Sequence, residues 1–492
     1  MAMGKRAVER QEDLFVMHDK LPKSPGHVFY IKLNRLLAEA EFDAWIEALC
    51  EPYYASGRGR PSVPPGVYFR MLLVGYFEGI ASQRGIAWRC SDSLSLREFL
   101  GIPIGKDSPD HSALTYIRDR LPLEVHSEVF IKVLAIAHEK KLLRGKTVAV
   151  DSTTLEANAA MKSIVRRDTG EDYHEYLTRL MKERELIAAD ATPSVDELRR
   201  FDKTRQDKKV SNAEWTSKTD EGSRIAKMKD GTTHLAYRAE HVVDLDTNIL
   251  LAANIYHADE HDTATLEDSV QQAQANQMDA GSESRIEDVA ADKGYHAAET
   301  LATFAEHTPY RTYIPEPQRK HGNTWTDKPP EHKAAVYATR RRTRGKRGRA
   351  LQRKRSEVAE RSFAHVCETG GARRCWLRGI EKVRKRYAIA AAAHNLSVLM
   401  RALFNMGTPR GLQQFKLDLE GLLASVFSWL YAAWLRLTTT PRAARCPTTT
   451  NRALAVRIAQ EIPSKTAPDS NALFQRAANS AGSTTPLQYD KP

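Results

Sequence analysis

The sequence predicts a mixed α/β protein in which a sheet with flanking helices follows an all-helical N-terminal region. Three observations carry that reading. Residues 28–140 place apolar side chains at helical spacing, punctuated by Ser, Asp, Gly and Pro. After Lys146 the pattern changes to β-branched alternation in TVAVDSTTLEA (147–157). A hairpin, a helix and another strand then follow in order, which suits a mixed sheet better than a bundle.

Residues 1–27 read as an N-terminal arm. FYIKLNRLLAEAEFDAWIEALC (29–50) carries Leu33, Leu36, Leu37, Ala40, Ala44 and Ala48 on one helix face. The Pro- and Gly-rich link SGRGRPSVPPG (56–66) precedes VYFRMLLVGYFEGI (67–80), which is apolar nearly all round and predicts a buried helix. In SLREFLGI (95–102), Ser95 with Glu98 three residues on predicts a capping box. DHSALTYIRDRL (110–121) opens a further helix. Short helices around such a connection suit either a helix-turn-helix or an ordinary bundle, and spacing alone favours the bundle.

In the second region, HLAYRAEHVVDLDTNILLAANIYHA (234–258) predicts two strands joined at Asp244–Asn248. TLEDSVQQAQANQ (265–277) predicts a helix, and SRIEDVAADKGYH (284–296) a buried strand ending in a turn. Residues 161–230 read as a charged helical insertion and 338–355 as a basic loop. Helical patterns return at 356–367 and 380–405, with a C-terminal helical segment over 406–437. The Thr-, Ser-, Ala- and Pro-rich stretch 438–492 predicts a poorly ordered tail.

Composition narrows the class. An apolar share of 41% excludes a wholly disordered chain. Five Cys in 492 residues, none in a C-x-x-C pair, exclude a disulfide framework and a zinc ribbon, and suit a reducing compartment. The run GLLASVFSWLYAAWL (421–435) has 15 residues, short of the roughly 20 that cross a bilayer. The first residues lack a secretory signal, so the expectation is a cytoplasmic, nucleoid-associated protein without a membrane partner. A net charge of +12 points weakly to a polyanionic partner.

Two aspartates end predicted strands: Asp151 in VAVDSTT and Asp292 in VAADKGYH. Either alone is more often a turn former or cap. Together, on strands able to neighbour one another, they suit a hard divalent cation with oxygen ligands. A two-ion site needs a third carboxylate, and KRSEVAERSFAHV offers Glu357 and Glu360, which spacing does not separate. Both also suit a solvated helix surface. Ten of the sixteen residues from Arg340 to Arg355 are basic: Arg340, Arg341, Arg342, Arg344, Lys346, Arg347, Arg349, Arg353, Lys354 and Arg355. Such a run binds phosphates without reading sequence; otherwise it is a solvated loop. Arg374, Lys382 and Lys385 extend the same reading. Trp325 reads as a loop anchor rather than a base-stacking platform. His18, His111, His257, His261 and His296 form no zinc pattern, His296 reads as a loop cap, and Cys367 and Cys375 read as structural.

The pieces 148–170, 214–247, VAADKGYH and AERSFAHVCETGGARRCWLRGIEKVRKRYAIAAAAHNLSVLMR (359–401), in that order, resemble the DDE transposases of bacterial insertion sequences. Residues 52–85 and 110–121 are similar to the helical DNA-binding region that precedes their catalytic domain. The resemblance covers roughly 28–405. It implies a helical DNA-binding domain over 28–140 and a ribonuclease-H-like catalytic domain over 146–405. It further implies a triad of Asp151, Asp292 and Glu360 holding two Mg²⁺ or Mn²⁺ ions, and metal-dependent cleavage and strand transfer of DNA. The implied partners are double-stranded DNA, as terminal inverted repeats and target, and a second copy in a synaptic complex. The choice of Glu360 over Glu357 comes from the resemblance. The chain departs from the wider superfamily at Cys367, where a Lys often stands seven residues after the Glu, and in the tail after 438. A non-catalytic DNA-binding remnant or repressor, and a metal-dependent DNA nuclease of similar fold, are the alternative readings. No G-x-x-x-x-G-K-[ST] loop is present, so nucleotide hydrolysis is not expected.

Overall fold

The computed structural model describes Met17 and residues 27–55, 62–206, 208, 210–228, 230–318, 325 and 328–409, all within one compact unit spanning 1–418. Most of the N-terminal arm, His18, the run 421–435 and the tail from 438 lie outside the described residues.

Seven helices come first: α1 Val28–Glu39, α2 Phe42–Cys50, α3 Pro65–Glu78, α4 Gln83–Asp92, α5 Leu94–Phe99, α6 His111–Arg120 and α7 Leu123–Glu139. The stretch 29–50, expected as one helix, is two. Glu41 adopts φ 50°, which turns the chain between α1 and α2. α3 is buried on nearly every side, as its all-round apolar sequence requires. The cap of α5 is Ser93, whose hydroxyl accepts from the amide of Leu96; Ser95 lies inside the helix and the expected capping box is absent. Asp110 caps α6 by accepting from the amide of Ala113.

The sheet begins with β1, Thr147–Glu156. The insertion after it is only partly helical. It holds β2 Ile164–Arg166, α8 Tyr173–Glu183, α9 Val195–Thr204, β3 Trp215–Ser217 and β4 Arg224–Lys227. β2 and β3 pair as a separate ribbon, with Trp215 buried against the Tyr173 and Tyr176 rings. β-branched Ile164, Val165 and Thr216 favour strand there over the surrounding charge pattern.

β5 (Thr233–Asp244) and β6 (Leu250–His257) form the expected hairpin. The buried Asp244 carboxylate organises its turn, accepting from the amides of Gly145 and Asp246 and from the Thr247 hydroxyl. α10 (Asp262–Asp279), β7 (Asp288–Ala291), α11 (Ala298–His307) and β8 (Arg311–Tyr313) follow. The main sheet runs β4-β5-β1-β7-β8, with β6 on β5. β1 is antiparallel to β5 and parallel to β7, and β7 is parallel to β8.

The basic run 338–355, expected as a loop, is helical. It ends α12 (Pro330–Arg344) and begins α13 (Lys346–Phe363), broken only at Gly345. Arg, Lys, Gln, Ala and Leu are good helix formers, and the run contains no proline. α13 passes into a wide π-type turn over Ala364–Thr369, and α14 (Ile380–Phe404) closes the fold. α14 is long and apolar enough to cross a membrane, but here most of it is buried in protein. One apolar core runs from Phe29 on α1 through Val148 and Val289 in the sheet to Met400 on α14.

Candidate active site

Parallel pairing of β1 and β7 sets Val150 opposite Ala291. The next residue on each strand is Asp151 and Asp292, so the register brings both carboxylates to the carboxyl end of the same strand pair. Ligands collect at such sheet ends in open α/β folds. Arg355 of α13 joins the two. Its Nη1 lies 3.1 Å from Asp151 Oδ2, and its Nη2 lies 3.8 Å from Asp292 Oδ1. The guanidinium is also held by Gln352, whose Oε1 accepts from Arg355 Nε at 3.2 Å. Gln352 in turn donates to the Ala291 carbonyl at 3.3 Å and to the Tyr313 carbonyl.

Glu360 does not join this pair through any contact. It lies five residues after Arg355, about 140° further round the helix. It is exposed and accepts from the Ser356 hydroxyl at 3.2 Å. Glu357 is ion-paired with Arg361 on the outer face. Among the described residues, no three of His, Cys, Asp and Glu are grouped so as to hold a metal ion. The donors that do converge, two carboxylates around one cation, suit a hard positive ion in oxygen chemistry.

The register of β5 decides what lies beside the pair. His241 stands opposite Asp151 on the same face. It is fully buried, stacks on Phe363 at 4.0 Å, and hydrogen-bonds Ser362 Oγ at 2.8 Å and Tyr387 Oη at 2.7 Å. Burial holds its pKa well below the ordinary histidine value, so the ring is neutral. On the opposite face, Ser152 stands opposite Glu240. The Ser152 hydroxyl donates to Asp262 at 2.9 Å, and Arg238 pairs with the same carboxylate at 2.5 Å. Glu240 is fully buried; its Oε2 accepts from Tyr295 Oη at 2.7 Å and Thr265 Oγ1 at 2.9 Å. Burial raises the Glu240 pKa, and these hydroxyl donors oppose the rise. Because Tyr295 follows Asp292 by three residues, its bond to Glu240 ties the Asp292 turn to β5. Sequence reasoning missed Glu240, His241 and Asp262, and it assigned Arg355 to DNA rather than to the aspartates.

The basic side chains divide by orientation. Arg340 is paired with Glu316 at 2.8 Å, Arg342 donates to the Thr312 carbonyl at 3.1 Å, and Arg347 pairs with buried Asp288. Lys354 pairs with Asp246 at 2.9 Å and Lys382 with Asp119 at 3.2 Å. Arg374 lies over the Trp376 ring, 3.8 Å from Glu156. Lys385 is buried, 2.7 Å from Glu381. Arg341, Arg344, Lys346, Arg349 and Arg353 are exposed and make no ion pair among the described residues. Lys346, Arg349 and Arg353 are three and four residues apart and share one face of α13. Trp325 packs against the core beside Tyr337, as a loop anchor does. Cys367 and Cys375 are buried free thiols whose pKa burial pushes up to about 11 and about 12, in keeping with structural roles.

Residues 16–120 match a transposase domain (DUF772), and residues 317–400 match a transposase DDE domain. The first match falls on the helical N-terminal region and the second on the helices that follow the sheet. No curated protein and no solved structure gives a significant match. The DDE match takes in α12, α13 and most of α14, and so includes Arg355, Glu357 and Glu360. Asp151 and Asp292 lie outside it, and their ion pairs with Arg355 connect them to it.

Proposed function

We propose that the chain is the transposase of an insertion sequence, cutting and joining DNA strands at a site built on Asp151, Asp292 and Glu360. One observation carries the reading. Two aspartates at adjacent parallel strand ends converge on a cationic group supplied by the helix of the DDE-type segment. The strand order β6-β5-β1-β7-β8, antiparallel on the β6 side and parallel on the β8 side, is read here as ribonuclease-H-like. Glu360 is preferred to Glu357 as third ligand on the family resemblance, and Glu357 is engaged by Arg361.

Asp151, Asp292 and Glu360 would hold Mg²⁺ or Mn²⁺, which suit an all-oxygen donor set. Such ions, when bound, activate an oxygen nucleophile and neutralise the leaving oxygen of an in-line displacement. The chain's own residues do the positioning. β1 fixes Asp151, and the Tyr295–Glu240 bond fixes the turn that carries Asp292. Neutral His241 packs behind Asp151 without adding charge. Arg344, Lys346, Arg349 and Arg353 line a path for the DNA backbone, which phosphate contacts position without reading sequence. A synapse of two element ends would call for two copies of the chain.

The test is strand cleavage of duplex DNA carrying the element's terminal repeats, with Mg²⁺, comparing the wild type with Asp292→Asn and Glu360→Gln. Loss of cleavage in both is expected. Full activity in Asp292→Asn overturns the site, and full activity in Glu360→Gln moves the third ligand elsewhere. Salt-dependent binding without cleavage by the wild type would make the chain a non-catalytic DNA-binding protein. Equal cleavage of DNA without the repeats would make it a nuclease.

A further inference from the structure

We infer that Arg355 is a built-in counter-ion that occupies the cation position between Asp151 and Asp292 and must leave before a divalent ion can enter. The inference rests on the metal-site reading above. The Arg355 side chain is only 11% exposed and reaches the carboxylates from the α13 side, whereas the Asp292 side chain remains 48% exposed. Two carboxylates this close to one centre repel each other, and a positive group between them lowers that cost. A guanidinium and a metal ion cannot share the same oxygens, so the two compete. The Gln352 side chain, anchored on the Ala291 and Tyr313 carbonyls, holds the guanidinium in its inward position.

What releases Arg355 follows from its chemistry. A guanidinium exchanges a carboxylate pair for a phosphate with little loss, since both accept its planar fork of donors. The exposed cations Arg349 and Arg353 stand on the outer side of the same helix, about 120° and about 160° round from Arg355. The guanidinium is reached instead from the side of Asp292, whose side chain is 48% exposed, and a DNA phosphate entering there offers it that alternative acceptor. Metal entry is thereby coupled to DNA arrival, and the coupling runs both ways: DNA tightens metal binding, and metal tightens DNA binding. Without DNA the aspartates stay closed around their own arginine.

The experiment is Mn²⁺ titration of the full chain, read as loss of the free-ion electron paramagnetic resonance signal, with and without terminal-repeat duplex held uncleaved by a modified scissile phosphate. The variants are Arg355→Gln, Arg355→Lys and Asp151→Asn, each checked for a folded circular dichroism spectrum. Without DNA, Arg355→Gln should bind Mn²⁺ about tenfold more tightly than the wild type, because apparent affinity falls with the fraction of sites held closed. Arg355→Lys, which keeps the charge without the two-pronged reach, should lie between them. Added duplex should tighten Mn²⁺ binding in the wild type and change it little in Arg355→Gln. If Arg355→Gln and Arg355→Lys bind Mn²⁺ no more tightly than the wild type while Asp151→Asn loses binding, the counter-ion role falls and the metal site stands. If Asp151→Asn binds Mn²⁺ as the wild type does, the metal-site reading fails and this inference fails with it.

Discussion

Asp151 and Ser152 are neighbours on β1, yet the two faces they occupy are built to opposite ends. On the Asp151 face, two carboxylates meet at a sheet end that is part-exposed to solvent, bridged by Arg355 from α13. On the Ser152 face, Glu240 lies fully buried, its Oε2 accepting from Thr265 and Tyr295 while its Oε1 has no hydrogen-bond partner, and Ser152 donates to the neighbouring Asp262. Hydroxyl donors to a buried carboxyl rigidify a core. A part-exposed pair bridged by an arginine keeps a solvent-facing side, the Asp292 side chain being 48% exposed. Alternation of side chains along a strand lets one residue step separate the two tasks.

The largest effect should come from the open face. Asp151→Asn should lower cleavage by at least about a thousandfold, several kcal/mol of transition-state stabilisation being at stake. Its thermal midpoint should stay close to the wild type, because asparagine keeps the shape of the side chain. A midpoint collapse in Asp151→Asn, measured by calorimetry, would show that the open face also carries the fold.

The closed face should give the next largest effect, in stability rather than turnover. Glu240→Ala leaves a cavity and strips Tyr295 and Thr265 of their acceptor, so a loss of about 3 kcal/mol is expected in denaturant unfolding. Glu240→Gln keeps an acceptor oxygen and should lose about 1 kcal/mol. A milder loss in Glu240→Ala than in Glu240→Gln would contradict this account of the network.

The contrast also explains what the sequence made legible. The strands around Asp151 and Asp292 could be read because their apolar neighbours alternate or run unbroken, and the hairpin could be read because Asp244 and Asn248 mark its turn. Glu240 and His241 could not. Inside AEHVVD a charged residue and a histidine read as solvent-facing, and their burial depends on partners such as Tyr295, 55 residues away, and Tyr387, 146 residues away. The basic run misled in another way. Its charge density suggested a loop, while its composition favours helix, and only the packing of α13 shows that Arg355 turns inward as Arg349 and Arg353 turn out. The break at Glu41 has no sequence marker, since a glutamate in the left-handed region is uncommon.

Buried histidines give the fold an acid response. His241 is held well below its ordinary value, His126 at about 4 and His394 at about 3, burial being the leading cause in each. The unfolded chain takes up these protons near pH 6.5 and the folded chain does not. Their contribution is therefore complete above about pH 6.5 and lost as pH falls toward the folded values, by about 1.4 kcal/mol per pH unit for each histidine. Glu240 slopes the other way: its pKa is raised on folding, so its contribution is present below the unfolded value and lost as pH climbs through the folded one. Stability measured between pH 7 and pH 5 should fall toward acid, and Glu240→Gln should flatten the opposing slope while leaving the histidine slope in place. A wild-type stability that is level across that range would refute the assignment of neutral buried rings.

The smallest expected effect separates the outward from the inward cations of α12 and α13. If Arg349 and Arg353 each meet a phosphate, replacing either with Gln should reduce the slope of log K against log salt for duplex binding by about one. Arg340 and Arg342 provide the contrast within the same basic run, since their side chains are held by Glu316 and by Thr312 and Thr339. Arg340→Gln should leave the salt slope unchanged and lower the thermal midpoint slightly, a part-buried ion pair contributing on the order of 1 kcal/mol or less. Equal slopes for the Arg349 and Arg340 variants would mean that charge density, rather than the direction in which α13 presents each side chain, decides how this surface meets DNA.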